Sequence, residues 1–160
     1  SSDLVNVCVD NAIAIFQFKL ANHQVQVVKD FGKVPDIQAD ESQVGEVLVN
    51  LIDNAIGAME NADERKLTVK TETRDNTVRI SITDTGHGIS PDIRSRIFEP
   101  FFSTRPVMFG VGMGLYLSYN IVKAHQGSLD FTSVVGKGTT FVFDLPVKLE
   151  PLHSQAKPLP

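Results

Sequence analysis

Residues 66–84 read Lys66-Leu67-Thr68-Val69-Lys70-Thr71-Glu72-Thr73-Arg74, then Asp75-Asn76, then Thr77-Val78-Arg79-Ile80-Ser81-Ile82-Thr83-Asp84. Both flanks are rich in Thr, Val and Ile and alternate with a period of two, the pattern of strands with one buried face. The Asp-Asn step between them suits a tight hairpin turn. The spacing therefore predicts an antiparallel pair over Lys66–Arg74 and Thr77–Thr83. Further along, Ser128–Val134 and Thr139–Leu145 form a second such pair around Gly136-Lys137-Gly138. Upstream, Asp40 caps a helix whose apolar residues Val44, Val47, Leu48, Leu51, Ile52, Ala55 and Met59 recur at three-to-four spacing. A first helix is expected from Asp3 to about Asn22, with Asp3 as its cap and Leu4, Val7, Cys8, Ala12 and Ile15 along its apolar side. Gln24–Phe31 reads as a strand, with a short second one around Ile37. Ser90 and Pro91 open a short helical piece to about Ile97. A last helix from Gly112 carries Leu115, Leu117, Tyr119, Ile121 and Val122 and stops at Gly127. Hairpins interleaved with three substantial helices predict an α+β fold: a two-layer sandwich with a mixed, mostly antiparallel sheet and about three helices on one face. It spans residues 1–146, and Val147–Pro160, with three prolines among polar residues, reads as a flexible tail.

Composition narrows the function classes. The 160 residues hold 15 Lys plus Arg and 19 Asp plus Glu, a net charge of −4, with 42% hydrophobic residues. That is one ordinary globular domain. The mild acidity argues against a nucleic-acid surface, which shows as a basic patch or stripe. No run approaches the length needed to cross a bilayer, and no signal peptide is visible, so no membrane contact and a cytoplasmic location are expected. Cys8 is the single cysteine and can close no internal disulfide. Ser1-Ser2 reads as an arbitrary cut in a longer chain.

Three polar clusters interrupt the core pattern. On the helix after Asp40, Glu46, Asn50 and Asn54 fall at four-residue steps and share a stripe beside the buried one. They are either buried amides satisfied within the fold or oxygen donors for magnesium, a hard cation. Asp84-Thr85-Gly86-His87-Gly88-Ile89 follows a strand directly. It is either an ordinary Asp/Gly turn or a place where glycines let a flat ligand approach while a carboxylate accepts from its exocyclic amine. Gly110-Val111-Gly112-Met113-Gly114 opens a helix, where unpaired N–H groups and the helix dipole favour phosphate. Neither a dinucleotide fingerprint nor a P-loop is present.

In this order, Gln43–Ala55, Asp84–Ile89, Ile97-Phe98-Glu99-Pro100-Phe101-Phe102-Ser103-Thr104 and Gly110–Leu115 resemble the N box, first glycine box, F box and second glycine box of sensor histidine kinases. Gly138–Pro146 is similar to that family's last strand. The variants Asn54–Met59 and Phe101–Pro106 lean towards the nitrogen-regulation-like kinases. The resemblance implies the Bergerat ATP-binding fold, ATP and Mg²⁺ as cofactors, and transfer of the γ-phosphate to a histidine in two-component signalling. Asn54 would ligate magnesium, with Asn50 helping to hold ion and phosphates. Asp84 would accept the adenine amine, with Gly86, Gly88 and Ile89 around the ring and Thr139 or Thr140 holding a bridging water. Gly110, Gly112, Met113, Gly114 and Leu115 would wrap the triphosphate. Phe101 or Phe102 would dock the lid, and Thr104 or Arg105 would lie near the γ-phosphate.

Two departures from the family matter. Gly57 stands where many members carry Lys or Arg, so Arg105 or Lys123 would neutralise phosphate charge. Related ATPases of the gyrase type place a glutamate base where this chain has Asn50, an amide that cannot take a proton from water. Positioning for phosphoryl transfer is thus favoured over hydrolysis, with Glu46, Asn50 and Arg105 as the catalytic candidates. None of His23, His87, His125 and His153 lies in a phosphoacceptor context, and His125, near a helix end, reads as a cation at the dipole's negative pole. The acceptor is expected on a preceding dimerisation domain of the same protein, with a cognate response regulator downstream, a monomeric fragment and a homodimeric whole. A serine-phosphorylating relative and a non-catalytic docking module are the alternatives.

Overall fold

A computed structural model of the chain describes residues 3–102 and 114–149. Five strands form one sheet, β1 (Gln26–Phe31), β2 (Lys66–Arg74), β3 (Thr77–Asp84), β4 (Ser128–Val134) and β5 (Gly138–Pro146), in the order β1-β2-β3-β5-β4. β1 runs parallel to β2, and the other pairings are antiparallel. The two hairpins expected from the sequence are both present, and Asp75, at φ 54°, makes the turn of the first. Every second residue of β3 and β5 is buried: Val78, Ile80, Ile82 and Asp84 on one, Thr139, Phe141, Phe143 and Leu145 on the other. The opposite face is polar. Thr68, Thr83, Thr140 and Thr132 stand side by side across four strands, and Arg79 donates two hydrogen bonds to Asp144, at 2.8 and 2.9 Å.

The helices are α1 (Leu4–Ile15), α2 (Gln17–Asn22), α3 (Glu41–Ala58) and α4 (Gly114–Ala124). α3 lies over β3 and β5 with α1 and α4 on either side. Its start is fixed by Asp40, whose Oδ1 accepts from the backbone N–H of Ser42 and Gln43. Its stripe Val44, Val47, Leu48, Leu51, Ile52, Ala55, Ile56 and Met59 is fully buried. Ser90 caps a 3₁₀ helix at Pro91–Arg96. Among the described residues, no helix is long and apolar enough to cross a membrane.

Several local expectations are corrected. The first helix breaks at Phe16, and Asp3 makes no side-chain capping bond. Its buried stripe is Val5, Val9, Ala12 and Ile13, while Leu4, Val7 and Ile15 are exposed, because the helix is apolar nearly all round and packing against α3 selects the face. The short strand at Ile37 is a single antiparallel bridge to Val147. Val147 and Lys148, assigned to the tail by composition, donate backbone hydrogen bonds to Asn76 and Asp36. His125 does more than sit at a helix end. Its Nε2 accepts from the backbone N–H of Asp40 at 3.2 Å, and its Nδ1 lies 2.7 Å from the Ile121 carbonyl oxygen. The imidazole thus ties the end of α4 to the start of α3.

Gly127 also works differently from the expected helix stop. The residue with positive φ is Gln126, at 61°. A Cβ on Gly127 would lie 2.1 Å from the Asp144 carbonyl oxygen, so glycine is required there by the close approach of α4's exit to β5. Gly127→Ala is expected to cost about 2 kcal/mol or more in urea denaturation, as overpacking against backbone does. Gln126→Gly, which relieves a left-handed side-chain residue, should be neutral or stabilise by up to about 1 kcal/mol.

Candidate functional site

The sheet ends where Asp84, Thr139 and Ser133 stand side by side on the helix-facing side. Above this row opens a cleft of about 400 Å³. α3 contributes Asn54, Gly57 and Ala58; the loop after β3 contributes His87, Gly88, Ile89 and Ser90; Ile93, Ile97 and Phe102 follow, and α4 contributes Gly114 and Leu115. Asp84, Thr139, Phe141 and Val135 form the floor and far wall. The lining is mainly apolar with a few fixed polar groups, the usual make-up of a small-molecule site.

Asp84 is 4% exposed. Its Oδ1 accepts from the backbone N–H of Gly86 at 2.8 Å and of Thr139 at 3.3 Å, which leaves Oδ2 for a ligand. Burial pushes its carboxyl above the ordinary carboxylate value, and the two N–H donors and nearby His87 only partly offset this. Gly86 does not line the cleft. A Cβ there would lie 2.3 Å from the Ala58 carbonyl oxygen, so its smallness lets the loop close against the end of α3. Gly88, at φ 76°, does line it, and a Cβ would meet the Val134 carbonyl at 2.5 Å.

The phosphate-side expectations divide. Asn54 faces the cleft. The Asn50 amide nitrogen donates to the Gly114 carbonyl and the Ser118 hydroxyl, both at 3.3 Å, so the amide is pinned to the first turn of α4 and its oxygen remains for other use. Two amide oxygens are donors of the kind a hard cation takes. Among the described residues no cluster of three or more His, Cys, Asp or Glu is placed to hold a metal. Glu46 is exposed on α3 and does not line the cleft. Lys123 is nine residues beyond Gly114, about 13 Å along the helix axis. It sits over the Tyr119 ring instead of near α4's N-terminus.

Two of the sequence alternatives differ in position. Thr139 is buried beside Asp84, whereas Thr140 is on the polar face of the sheet, bonded to Thr83 at 2.9 Å. Phe102 lines the cleft with the Arg96 guanidinium over its ring, whereas Phe101 is 72% exposed. Thr104, Arg105, Gly110, Gly112 and Met113 lie outside the described residues. The sequence did not single out Ala58, Ser90, Ile93, Ile97, Val135 or Phe141, and it dismissed His87. Ile93 and Ile97 carried a legible signal, the i, i+4 apolar pair of the helical piece after Ser90; Val135, in a turn, carried none.

Comparison with known proteins bears on this cleft. The family model described as histidine kinase-, DNA gyrase B-, and HSP90-like ATPase matches residues 39–149. Sensor histidine kinase ZraS of Escherichia coli K12 is 36% identical over 81% of this chain, and sporulation kinase E of Bacillus subtilis is 37% identical over 82%. The chain spans only 30% and 17% of those two relatives. Among solved structures, the nucleotide-free catalytic domain of histidine kinase ThkA superposes with a TM-score of 0.77 at 27% identity, covering 88% of this chain and 91% of that one. Full-length ShkA in complex with AMPPNP gives 0.78 at 26%, covering 89% of this chain and 30% of that one.

The raised carboxyl of Asp84 sets a sign for stability. A carboxyl whose folded value exceeds its unfolded value favours the fold while protonated. That contribution is whole below the ordinary carboxylate range and is lost as pH rises through the raised folded value, so ionised Asp84 costs stability at pH 7. Asp84→Asn keeps an oxygen for both N–H donors and removes the charge. Its melting temperature at pH 7 is expected to match or exceed the parent's by about 2–4 °C, with the difference vanishing towards pH 3; a lower melting temperature would contradict this account of the burial.

Proposed function

We propose, since the chain belongs to the histidine kinase-, DNA gyrase B-, and HSP90-like ATPase family, that its cleft binds Mg-ATP and presents the γ-phosphate to a histidine on a dimerisation domain of the same protein. The observation that carries this reading is the pairing, in one cleft, of a buried carboxylate at the sheet end with Asn54 and the N-terminus of α4 on the opposite side. Oδ2 of Asp84 accepts the adenine amine. Gly88, Ile89 and Phe102 bracket the ring, and the triphosphate runs towards Asn54, Asn50 and the glycines that end at Gly114. The amide oxygens of Asn54 and Asn50 would hold magnesium together with phosphate, and the ion would supply charge neutralisation there.

The rest is what the side chains do themselves. Asn50 and Asn54 orient and hold, and neither can deprotonate a water, so the site positions a phosphoryl group for another nucleophile. Arg105 supplies positive charge to the transferred group, and Glu46, on the exposed side of α3, polarises the incoming imidazole. The whole protein is a homodimeric sensor whose cytoplasmic portion contains this domain, with a response regulator as the next acceptor. The residues at Asn54–Met59 and Phe101–Pro106 favour the nitrogen-regulation-like subtype.

Calorimetric titration with a non-hydrolysable ATP analogue tests the site. Micromolar to sub-millimolar binding is expected, weakened about tenfold or more by magnesium removal or by Asn54→Ala, the loss of one charge-assisted contact. Unchanged affinity in both Asn54→Ala and Asp84→Asn would overturn the assignment. A histidine-bearing dimerisation domain added in trans with ATP should acquire an acid-labile, base-stable phosphate; an acid-stable label would place the chain with the serine-phosphorylating relatives.

A further inference from the structure

Behind the cleft, Ser133 of β4 makes three short contacts through one hydroxyl. Its Oγ lies 2.7 Å from the backbone nitrogen of Ile89, 3.1 Å from the carbonyl oxygen of Gly138 and 2.9 Å from Oγ1 of Thr139. The first partner can only donate and the second can only accept. All three contacts are hydrogen bonds at once in a single arrangement: the Ser133 proton goes to Gly138, and the Thr139 proton goes to Ser133. Oγ1 of Thr139, which lines the cleft 4% exposed beside Asp84, then turns only lone pairs towards a ligand.

From this we infer that Ser133, which does not line the cleft, is a positioning residue that fixes the Thr139 hydroxyl as an acceptor and so selects an exocyclic amine over a carbonyl on the bound base. The adjacent Asp84 Oδ2 is also an acceptor while ionised. The end of the cleft therefore offers acceptors to a 6-amino purine and meets a 6-oxo purine with lone pair against lone pair. A ligand carbonyl could be received only if the Thr139 proton turned inward, which would leave the third Ser133 contact unmade. Ser133 is itself held. Its carbonyl oxygen accepts from the Arg94 guanidinium, and Arg94 lies 5.9 Å over the ring of Phe131. The same hydroxyl joins the loop after β3, through Ile89, to the β4–β5 hairpin, so hydroxyl polarity and loop position are set together.

This inference rests on the proposed nucleotide site, and the test separates the two. Affinities for the ATP analogue and for the corresponding inosine analogue, which carries oxygen in place of the 6-amino group, are measured on the parent, Ser133→Ala and Ser133→Thr. The parent should prefer the adenine nucleotide. In Ser133→Ala the Thr139 proton is freed to turn into the cleft, and the preference should narrow about tenfold, one hydrogen bond gained with inosine while the hydroxyl can still accept from adenine. Ser133→Thr retains the hydroxyl and should restore the preference. A merely structural loosening would weaken both nucleotides equally. If Ser133→Ala fails to fold, Thr139→Val removes the same acceptor from the cleft side and should narrow the preference likewise. An unchanged ratio in a folded variant that still binds overturns the role of Ser133 and leaves the nucleotide site standing; a parent that binds neither nucleotide overturns both.

Discussion

The structure hangs on the burial of one helical stripe. Val44 to Met59 along α3 are removed from water against β3 and β5, and each such side chain contributes about 1.5–3 kcal/mol when fully buried. That single docking fixes the rotation of α3 about its axis. With the stripe facing the sheet, Asn50 and Asn54 are turned towards α4 and the cleft, and the C-terminal turn, Gly57 and Ala58, becomes part of the cleft wall. Core and site therefore share one geometric constraint. The loop after β3 is fitted to the same helix, since Gly86 closes against the Ala58 carbonyl where no Cβ could fit.

Against this apolar frame, Asp84 is the deliberate exception. A carboxylate 4% exposed at a strand end is costly, and its two backbone donors come from different elements, one from its own loop and one from β5. It stands at the sheet end of the cleft, at a position where an ordinary core would have placed another valine. Thr139 and Ser133 continue this polar row across the sheet, so that a layer of hydrogen bonds terminates the hydrophobic one.

Periodicity made most of the fold legible. The hairpins, the capped α3 and the Ser90-Pro91 start depend on nearest neighbours in sequence, and local pattern reports them well. What local pattern could not decide was which of two apolar stripes on α1 would be covered, since Leu4, Val7 and Ile15 are as apolar as Val5, Val9 and Ile13. The same limit applied at the site. Asn54, Asp84 and Gly88 stood out as polar or glycine breaks in apolar runs, but the choice between Thr139 and Thr140 is a matter of strand parity, set by register with β3. The bridging place of His125 was not legible, because its partner, the N–H of Asp40, lies 85 residues away. Glycine was equally ambiguous: Gly127 resembles a helix stop, yet its smallness answers a contact with β5 that only the assembled sheet creates.

The sheet order has a consequence for how the chain tolerates change. β2 with β3 and β4 with β5 are closed by short turns, and the two hairpins meet along the β3–β5 seam, with Asp84 opposite Thr139 at one end. Each hairpin is registered by its own turn, so a residue gained or lost in a turn disturbs one hairpin internally, whereas a one-residue slip along the β3–β5 seam would turn the buried face of a whole hairpin outward.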